Sequence, residues 1–253
     1  MGTTVGGGAR RRRVRNANAP SGGFPPSVVA KTHIWIDAGQ EAYADGAICD
    51  TVHDWSGHHY DFITQSSPSR SPRFLLPGTI NGKPSFNCDL VSGPQMVQPV
   101  GDIMAGIAEA ELYIVCKYTG SGFGGLHRFG GAGCWMPYDT LLHIYDTFGK
   151  ASAVGKWDGT TSSPISLANP VLINERAFAA GWQGLINGKL DKNYAVAEAV
   201  GFPAQVMLWR NNAGDSFKGE IAEMIVTNQI LTGAEQLALQ NYFLTKYNIA
   251  LIP

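Results

Sequence analysis

Cleaving a glycosidic bond takes two carboxylates that face the scissile bond across a cleft. Two acid pairs in the chain approach that requirement. Glu220 and Glu223, in Glu220-Ile221-Ala222-Glu223, are three residues apart, a spacing that sends them to opposite faces of a regular strand. Glu109 and Glu111 share a face, but they precede a strand and have no third acid beside them. A second group, His53, His58 and His59 near Asp50, Asp54 and Asp61, mixes imidazole with carboxylate, which suits zinc and similar ions. Read as a turn instead, the same segment uses Asp54 and Ser56 as caps and packs Trp55. The four cysteines, Cys49, Cys88, Cys116 and Cys134, are far apart and form no CxxC, so their spacing does not describe a zinc site. Cys116, in an apolar run over 112–116, reads as a buried free thiol. No Gly-x-Ser-x-Gly elbow or Walker loop occurs, and Gly120-Ser121-Gly122-Phe123-Gly124 lacks the lysine that would follow in a phosphate loop. No catalytic residue, cofactor or metal is expected.

Aromatic residues offer a different chemistry. A sugar lays its apolar C–H face on a flat ring, while Asp, Asn and backbone amides take its hydroxyls. Trp135 with Tyr138 follows the Gly-rich stretch, Trp157 sits beside Asp158 in a polar segment, and Trp209 precedes Asn211. These six are the candidate carbohydrate-binding residues. Trp35, Trp55 and Trp182 lie in strand or turn patterns and are expected in the core.

The elements that must position these side chains are short strands. The chain has 253 residues, of which 44% are hydrophobic and only 15% charged, with 31 Gly. That balance excludes coiled coil, collagen and global disorder, and the length suits one β-sandwich plus a tail. No run of 18 apolar residues occurs, and no apolar signal core follows the N-terminal charges, so neither a membrane span nor a secretory signal is expected. Strand signals recur over 33–37, 59–64, 73–76, 84–88, 111–118, 141–148, 170–180, 181–186, 206–209 and 217–227, with turn residues between them. The segment 111–118 is the most apolar and is expected to be central. Residues 120–133 hold seven Gly in fourteen and read as loop or hairpin. Asn187-Gly188 predicts a type I′ hairpin. Thr232-Gly233-Ala234-Glu235 has capping-box spacing, and Leu239, Tyr242, Phe243 and Tyr247 form an apolar stripe, which predicts one helix over about 232–247.

Several segments together resemble the concanavalin A-like lectin/glucanase superfamily, in particular laminin-G-like domains of phage and bacterial surface proteins. They are Trp35-Ile36-Asp37-Ala38, Asp54-Trp55-Ser56-Gly57 with Tyr60-Asp61-Phe62, Asn81-Gly82-Lys83-Pro84 with Phe86, and Ile186-Asn187-Gly188-Lys189-Leu190. The last runs from Gly219 to Val226, then through Leu231-Thr232 and Glu235 to Tyr242-Phe243 and Lys246-Tyr247. The resemblance implies an all-β, two-sheet antiparallel jelly-roll sandwich over 31–253, with one C-terminal helix. Glycosidases of this superfamily carry an E-x-D-x-x-E strand. Glu220 and Glu223 lack its helper Asp, so no enzymatic activity is expected.

Residues 1–30 lie outside the resemblance. Arg10, Arg11, Arg12, Arg13 and Arg15 precede the first acid, Asp37; without them 14 basic residues face 20 acidic ones. An extended basic arm thus leaves a mildly acidic body through a Pro/Gly/Ser hinge, and it buries too little apolar surface to fold alone. The arm reads as an assembly anchor whose guanidinium groups pair with carboxylates of a neighbouring protein. Pairing with phosphate is the alternative. The reading that unites arm and sandwich is a non-enzymatic virion structural protein: a phage capsid decoration, head-fibre or tail-appendage subunit at the virion surface, assembled in the host cytoplasm. Its partners are other virion proteins and further copies of itself, with a host surface glycan as the candidate ligand and no membrane. A free carbohydrate-binding module or adhesin is one alternative. A viral coat protein whose Arg arm binds nucleic acid is another.

Overall fold

The computed structural model describes residues 23 and 25–250, apart from 65–70, 90–94, 98–100, 132, 139–142, 151–155, 158–165, 196 and 211–214. From the N-terminus it runs through a short helix α1 (Pro26–Lys31) and strands β1 (Thr32–Asp37), β2 (Thr51–Val52), β3 (Phe62–Thr64), β4 (Arg73–Leu75), β5 (Ser85–Asn87), β6 (Met96–Val97), β7 (Ala110–Tyr118) and β8 (Gly125–Arg128). Strands β9 (Cys134–Trp135), β10 (Ile144–Tyr145), β11 (Lys156–Trp157), β12 (Val171–Phe178), β13 (Gly181–Ile186), β14 (Lys189–Tyr194), β15 (Met207–Leu208) and β16 (Gly219–Thr227) follow, and helix α2 (Gly233–Tyr247) closes the chain. No helix among the described residues is long and apolar enough to cross a membrane.

The strands form two antiparallel sheets. The first has the order β14-β13-β12-β7-β16-β5-β4, with β1 also pairing β16; the second has the order β11-β10-β9-β8-β15-β6-β3-β2. The protein is therefore an all-β, two-sheet sandwich. Strand β7 is central, as its apolar run predicts, and both of its faces are covered. Ala110, Leu112, Ile114, Cys116 and Tyr118 point between the sheets, whereas Tyr113 and Val115 point to the opposite face, under α2. A strand buried on both faces has no polar alternation to show, which is why it reads as a continuous apolar run. The inter-sheet core also holds Phe62, Phe74, Phe86, Phe129, Phe148, Trp182, Trp209 and Phe217. Each large side chain removed from water contributes about 1.5–3 kcal/mol.

Helix α2 begins with the capping box that its sequence predicts. The Thr232 hydroxyl accepts from the Glu235 amide at 3.4 Å, and the Glu235 carboxylate accepts from the Thr232 amide at 2.9 Å. Leu239, Phe243, Leu244 and Tyr247 then lie on Trp35, Tyr113, Val115, Ala222 and Ile225 of the first sheet. The Asn187-Gly188 turn has φ of 49° and 82°, the two positive values of a type I′ hairpin.

The chain departs from its sequence reading at the C-terminal end of the hinge. An extended arm over 1–30 is expected, yet α1 starts at Pro26. Proline suits the first helical position, where its missing N–H is not needed, and Val28 is completely buried in the α2 cluster. Residues 26–30 thus belong to the sandwich. Arg10, Arg11, Arg12, Arg13 and Arg15 lie outside the described residues.

Candidate functional site

Alternation along β9 and β10 sorts their side chains. Cys134, Met136 and Ile144 enter the core. Trp135 and Tyr145, directly opposite each other in the β9–β10 pair, take the other face of the second sheet. Their ring centroids are 5.2 Å apart, edge to face. Tyr138, just beyond β9, stacks on Tyr145 with centroids at 4.9 Å and meets Trp135 edge-on at 6.2 Å. Phe123 from the preceding Gly-rich loop approaches Tyr138 at 6.3 Å and is 56% exposed.

Local backbone contacts fix this group. The Tyr138 amide donates to the His143 carbonyl at 2.6 Å, and the Gly124 amide to the Pro137 carbonyl at 3.1 Å. A Cβ at Gly124 would lie 2.5 Å from the Met136 carbonyl oxygen, so only glycine lets the loop come this close. Tyr118 donates its hydroxyl to the Gly122 carbonyl at 2.7 Å, tying the loop to β7. At the edge of the group the Trp135 indole N–H donates to Asp215 at 2.9 Å. Burial, and then Tyr138, push the Tyr145 hydroxyl pKa up. The result is three half-buried rings in mutual contact, with the exposed Phe123 against Tyr138 and a carboxylate beside them.

Of the six sequence candidates, Trp135 and Tyr138 meet in this group. Trp157 lies on the neighbouring strand, paired opposite Ile144, with its side chain outside the described residues; Asp158 and Asn211 are outside them altogether. Trp209 requires a correction. Strand β15 ends in a left-handed turn, with φ of 63° at Trp209, and the ring swings into the core, 1% exposed and 5.3 Å from Phe86. It offers no face to a sugar. Tyr145 and Phe123 were not among the candidates. The signal for Tyr145 was its alternation with Ile144; nothing in the sequence ties Phe123 to the same face.

The acid pairs are engaged elsewhere. Glu220 and Glu223 do not lie on opposite faces, because a bulge between Ile221 and Glu223 shifts the register and turns both toward the α2 side of the sheet. Glu220 accepts from Ser85 at 2.5 Å and from the amide and hydroxyl of Thr79 at 2.8 and 2.7 Å. Glu223 accepts from the Trp35 indole at 2.6 Å, Lys246 at 2.7 Å, Tyr247 at 2.8 Å and Tyr242 at 3.0 Å. Glu111 accepts from Tyr113 at 2.5 Å, the Leu231 amide at 2.8 Å and Arg176 at 3.0 Å. Taken together, these bonds tie the first sheet to the loops at Thr79 and Leu231 and to α2.

The histidine segment behaves as a turn. Asp54 accepts from the amides of Trp35, Ser56 and Tyr60 and from the Ser56 hydroxyl, all within 3.0 Å. His53 pairs with Glu41 at 2.7 Å, and His58 stacks on Tyr60 at 5.3 Å. Metal-type donors converge at another place among the described residues: His127, Cys134, Asp146 and Glu175, inside the core. All four cysteines are free and buried.

No family model and no curated protein matches the chain. Solved structures do. A Trypanosoma rangeli sialidase in complex with a difluorinated nononic acid superposes with a TM-score of 0.56 at 13% identity, over 90% of this chain and 33% of the sialidase. This chain thus spans about a third of the sialidase chain. Domain 4 of AbnA, an extracellular arabinanase from Geobacillus stearothermophilus, in complex with arabinotriose, gives 0.56 at 15% identity over 82% of this chain and 98% of that domain. The binding domain of botulinum neurotoxin DC, in complex with rat synaptotagmin II, gives 0.57 at 10% identity over 85% and 52%. What is shared is the fold.

Proposed function

We propose that this protein is a non-catalytic glycan-binding sandwich of the concanavalin A-like, laminin-G-like kind. Its sugar platform is the group of Phe123, Trp135, Tyr138 and Tyr145. The observation that carries the reading is this aromatic face on the second sheet, with the Asp215 carboxylate at its edge. Flat rings with a polar group beside them match a pyranose or furanose ring, apolar on its faces and hydroxylated around its rim. The arabinotriose-bound domain, matched over nearly its whole length, supports the reading by showing that a sandwich of this shape and size holds a sugar. The non-catalytic part rests on the hydrogen bonds that hold Glu111, Glu220 and Glu223. In the wider reading the basic arm docks the sandwich on a virus particle and the aromatic face looks outward.

The test is a glycan array with the full chain, followed by titration of the strongest ligand into Trp135→Ala and Tyr138→Ala. Loss of a central aromatic contact costs about 2 kcal/mol, so affinity should fall by more than about tenfold in each variant. Circular dichroism should show both variants still folded. Binding unchanged in both variants would place the site elsewhere, and a wild-type chain that binds no glycan would end the reading.

A further inference from the structure

We propose that His127, Cys134, Asp146 and Glu175 form a buried structural site for a divalent zinc-class ion that clamps the two sheets together. The inference is independent of the glycan reading. His127 comes from β8, Cys134 from β9 and Asp146 from the residue after β10, all in the second sheet; Glu175 comes from β12 in the first. One donor atom of each lies within 4.8 Å of the others, and all four residues are completely buried. The His127 Nε2 is 3.0 Å from Glu175 Oε2 and 3.8 Å from Asp146 Oδ2.

Three polar atoms of this group have no hydrogen-bond partner: His127 Nδ1, Asp146 Oδ2 and Glu175 Oε1. A buried polar atom left unpaired costs about 1–3 kcal/mol, and an unpaired buried carboxylate more, so three at one point call for a missing partner. Outside the cluster the surroundings supply none. Phe129 and Phe148 meet the His127 ring edge to face at 5.5 and 6.3 Å. Asp146 is nevertheless held in place, because its Oδ1 accepts from the amides of Thr147 at 2.5 Å and Phe148 at 2.8 Å. That leaves its second oxygen turned to the cluster, in the manner of a ligand oriented by its outer partners.

The donor set selects the ion. Calcium and magnesium take oxygen ligands, whereas one thiolate, one imidazole and two carboxylates make a four-donor set for zinc. Tetrahedral ligands at about 2.0–2.3 Å from zinc lie about 3.3–3.8 Å from one another, so the cluster needs to contract by only about 1 Å. With no exposed position for water or substrate, the site is structural rather than catalytic. The ion offsets two of the three negative charges, and the amides on Asp146 stabilise the third. The competing occupant is a proton held between the Asp146 and Glu175 carboxyls, whose donor atoms lie within 4.8 Å.

The full chain, unfolded in chelator and refolded with zinc, should retain one equivalent through desalting and melt higher than the chain refolded without it. Refolding with cobalt should give the thiolate-to-cobalt charge-transfer band and the intense visible bands of a tetrahedral site. Cys134→Ser should abolish the charge-transfer band and weaken zinc binding by more than about 100-fold, the upper end of what outer partners alone contribute. Cys88→Ser, outside the cluster, should keep the band. If Cys134→Ser fails to fold, the wild-type cobalt spectrum and the effect of Cys88→Ser on it decide. A wild-type chain that retains no zinc and melts identically with and without it overturns the proposal and assigns the cluster to a shared proton. Cobalt bound without the thiolate band overturns it as well.

Discussion

Glu223 shows how one side chain can organise a face of the molecule. Its carboxylate gathers Trp35 from β1 and Tyr242, Lys246 and Tyr247 from α2, and Lys246 reaches on to Asp37 at 2.9 Å. Burial, and then the nearby Asp37, push its pKa up from 4.5 to about 7, against the pull of Lys246. Between those values the folded chain binds a proton that the unfolded chain does not. The stability contributed by this group is therefore full below pH 4.5 and lost as pH rises through about 7. The loss should be on the order of 3 kcal/mol. Burial also pushes Glu175 up to about 7, so the readout is a difference in slope. Thermal melts across this range should show the wild-type chain losing stability more steeply than Glu223→Gln, which carries no titrating group at this position. Parallel slopes in the two proteins would show that Glu223 does not titrate there.

At the scale of elements, the capping box of α2 is the most local device in the fold. Thr232→Ala removes the acceptor for the Glu235 amide and should lower stability by about 1 kcal/mol in urea titrations, with an unchanged slope. This cap was legible because its partners are three residues apart. The β13–β14 hairpin and the apolar runs of β7 and β16 were legible for the same reason: each signal lies within one segment. Strands β2, β6, β9 and β11 are two residues long, too short for any period to show, and exist only through their neighbours, whereas β10 and β15, equally short, fall inside the longer apolar segments 141–148 and 206–209. The β16 bulge, which turns Glu223 toward the helix, has no local signature in Ile221-Ala222-Glu223. Trp209 escaped in a similar way, since one left-handed residue reverses the face that its strand predicts. The aromatic group was half legible: Trp135 and Tyr138 share a segment, while Phe123 and Tyr145 join them only through strand pairing. The His127 cluster was not legible at all, because its members come from both sheets.

At the scale of the whole molecule, the boundary between arm and sandwich falls at the hinge rather than at residue 30. Val28 is buried under α2, and Gly23 lies against Tyr242, where an added Cβ would be 3.7 Å from the ring. Deleting residues 1–22 should leave the melting temperature unchanged; if the arm is the proposed anchor, the shortened chain should also fail to co-sediment with particles that the full chain joins. Full incorporation of the shortened chain would remove the anchoring role. Tight, salt-dependent binding of nucleic acid by the full chain alone would favour contact with a genome.

The place of β16 also governs when the chain can fold. One edge of β16 pairs with β7, and the other is divided between β5, near Gly219, and β1, near Thr227. Thr32 thus meets Thr227, and the central position of the first sheet stays empty until residues 219–227 have left the ribosome. Until then β1, β5 and β7 present unpaired backbone across a gap of one strand, and α2, which follows β16, has yet to cover Trp35, Tyr113 and Val115. Contacts so distant in sequence make folding slow, on the order of milliseconds to seconds. During synthesis the apolar faces of β7 therefore depend on chaperones, or on speed, to stay out of cross-strand association with other chains.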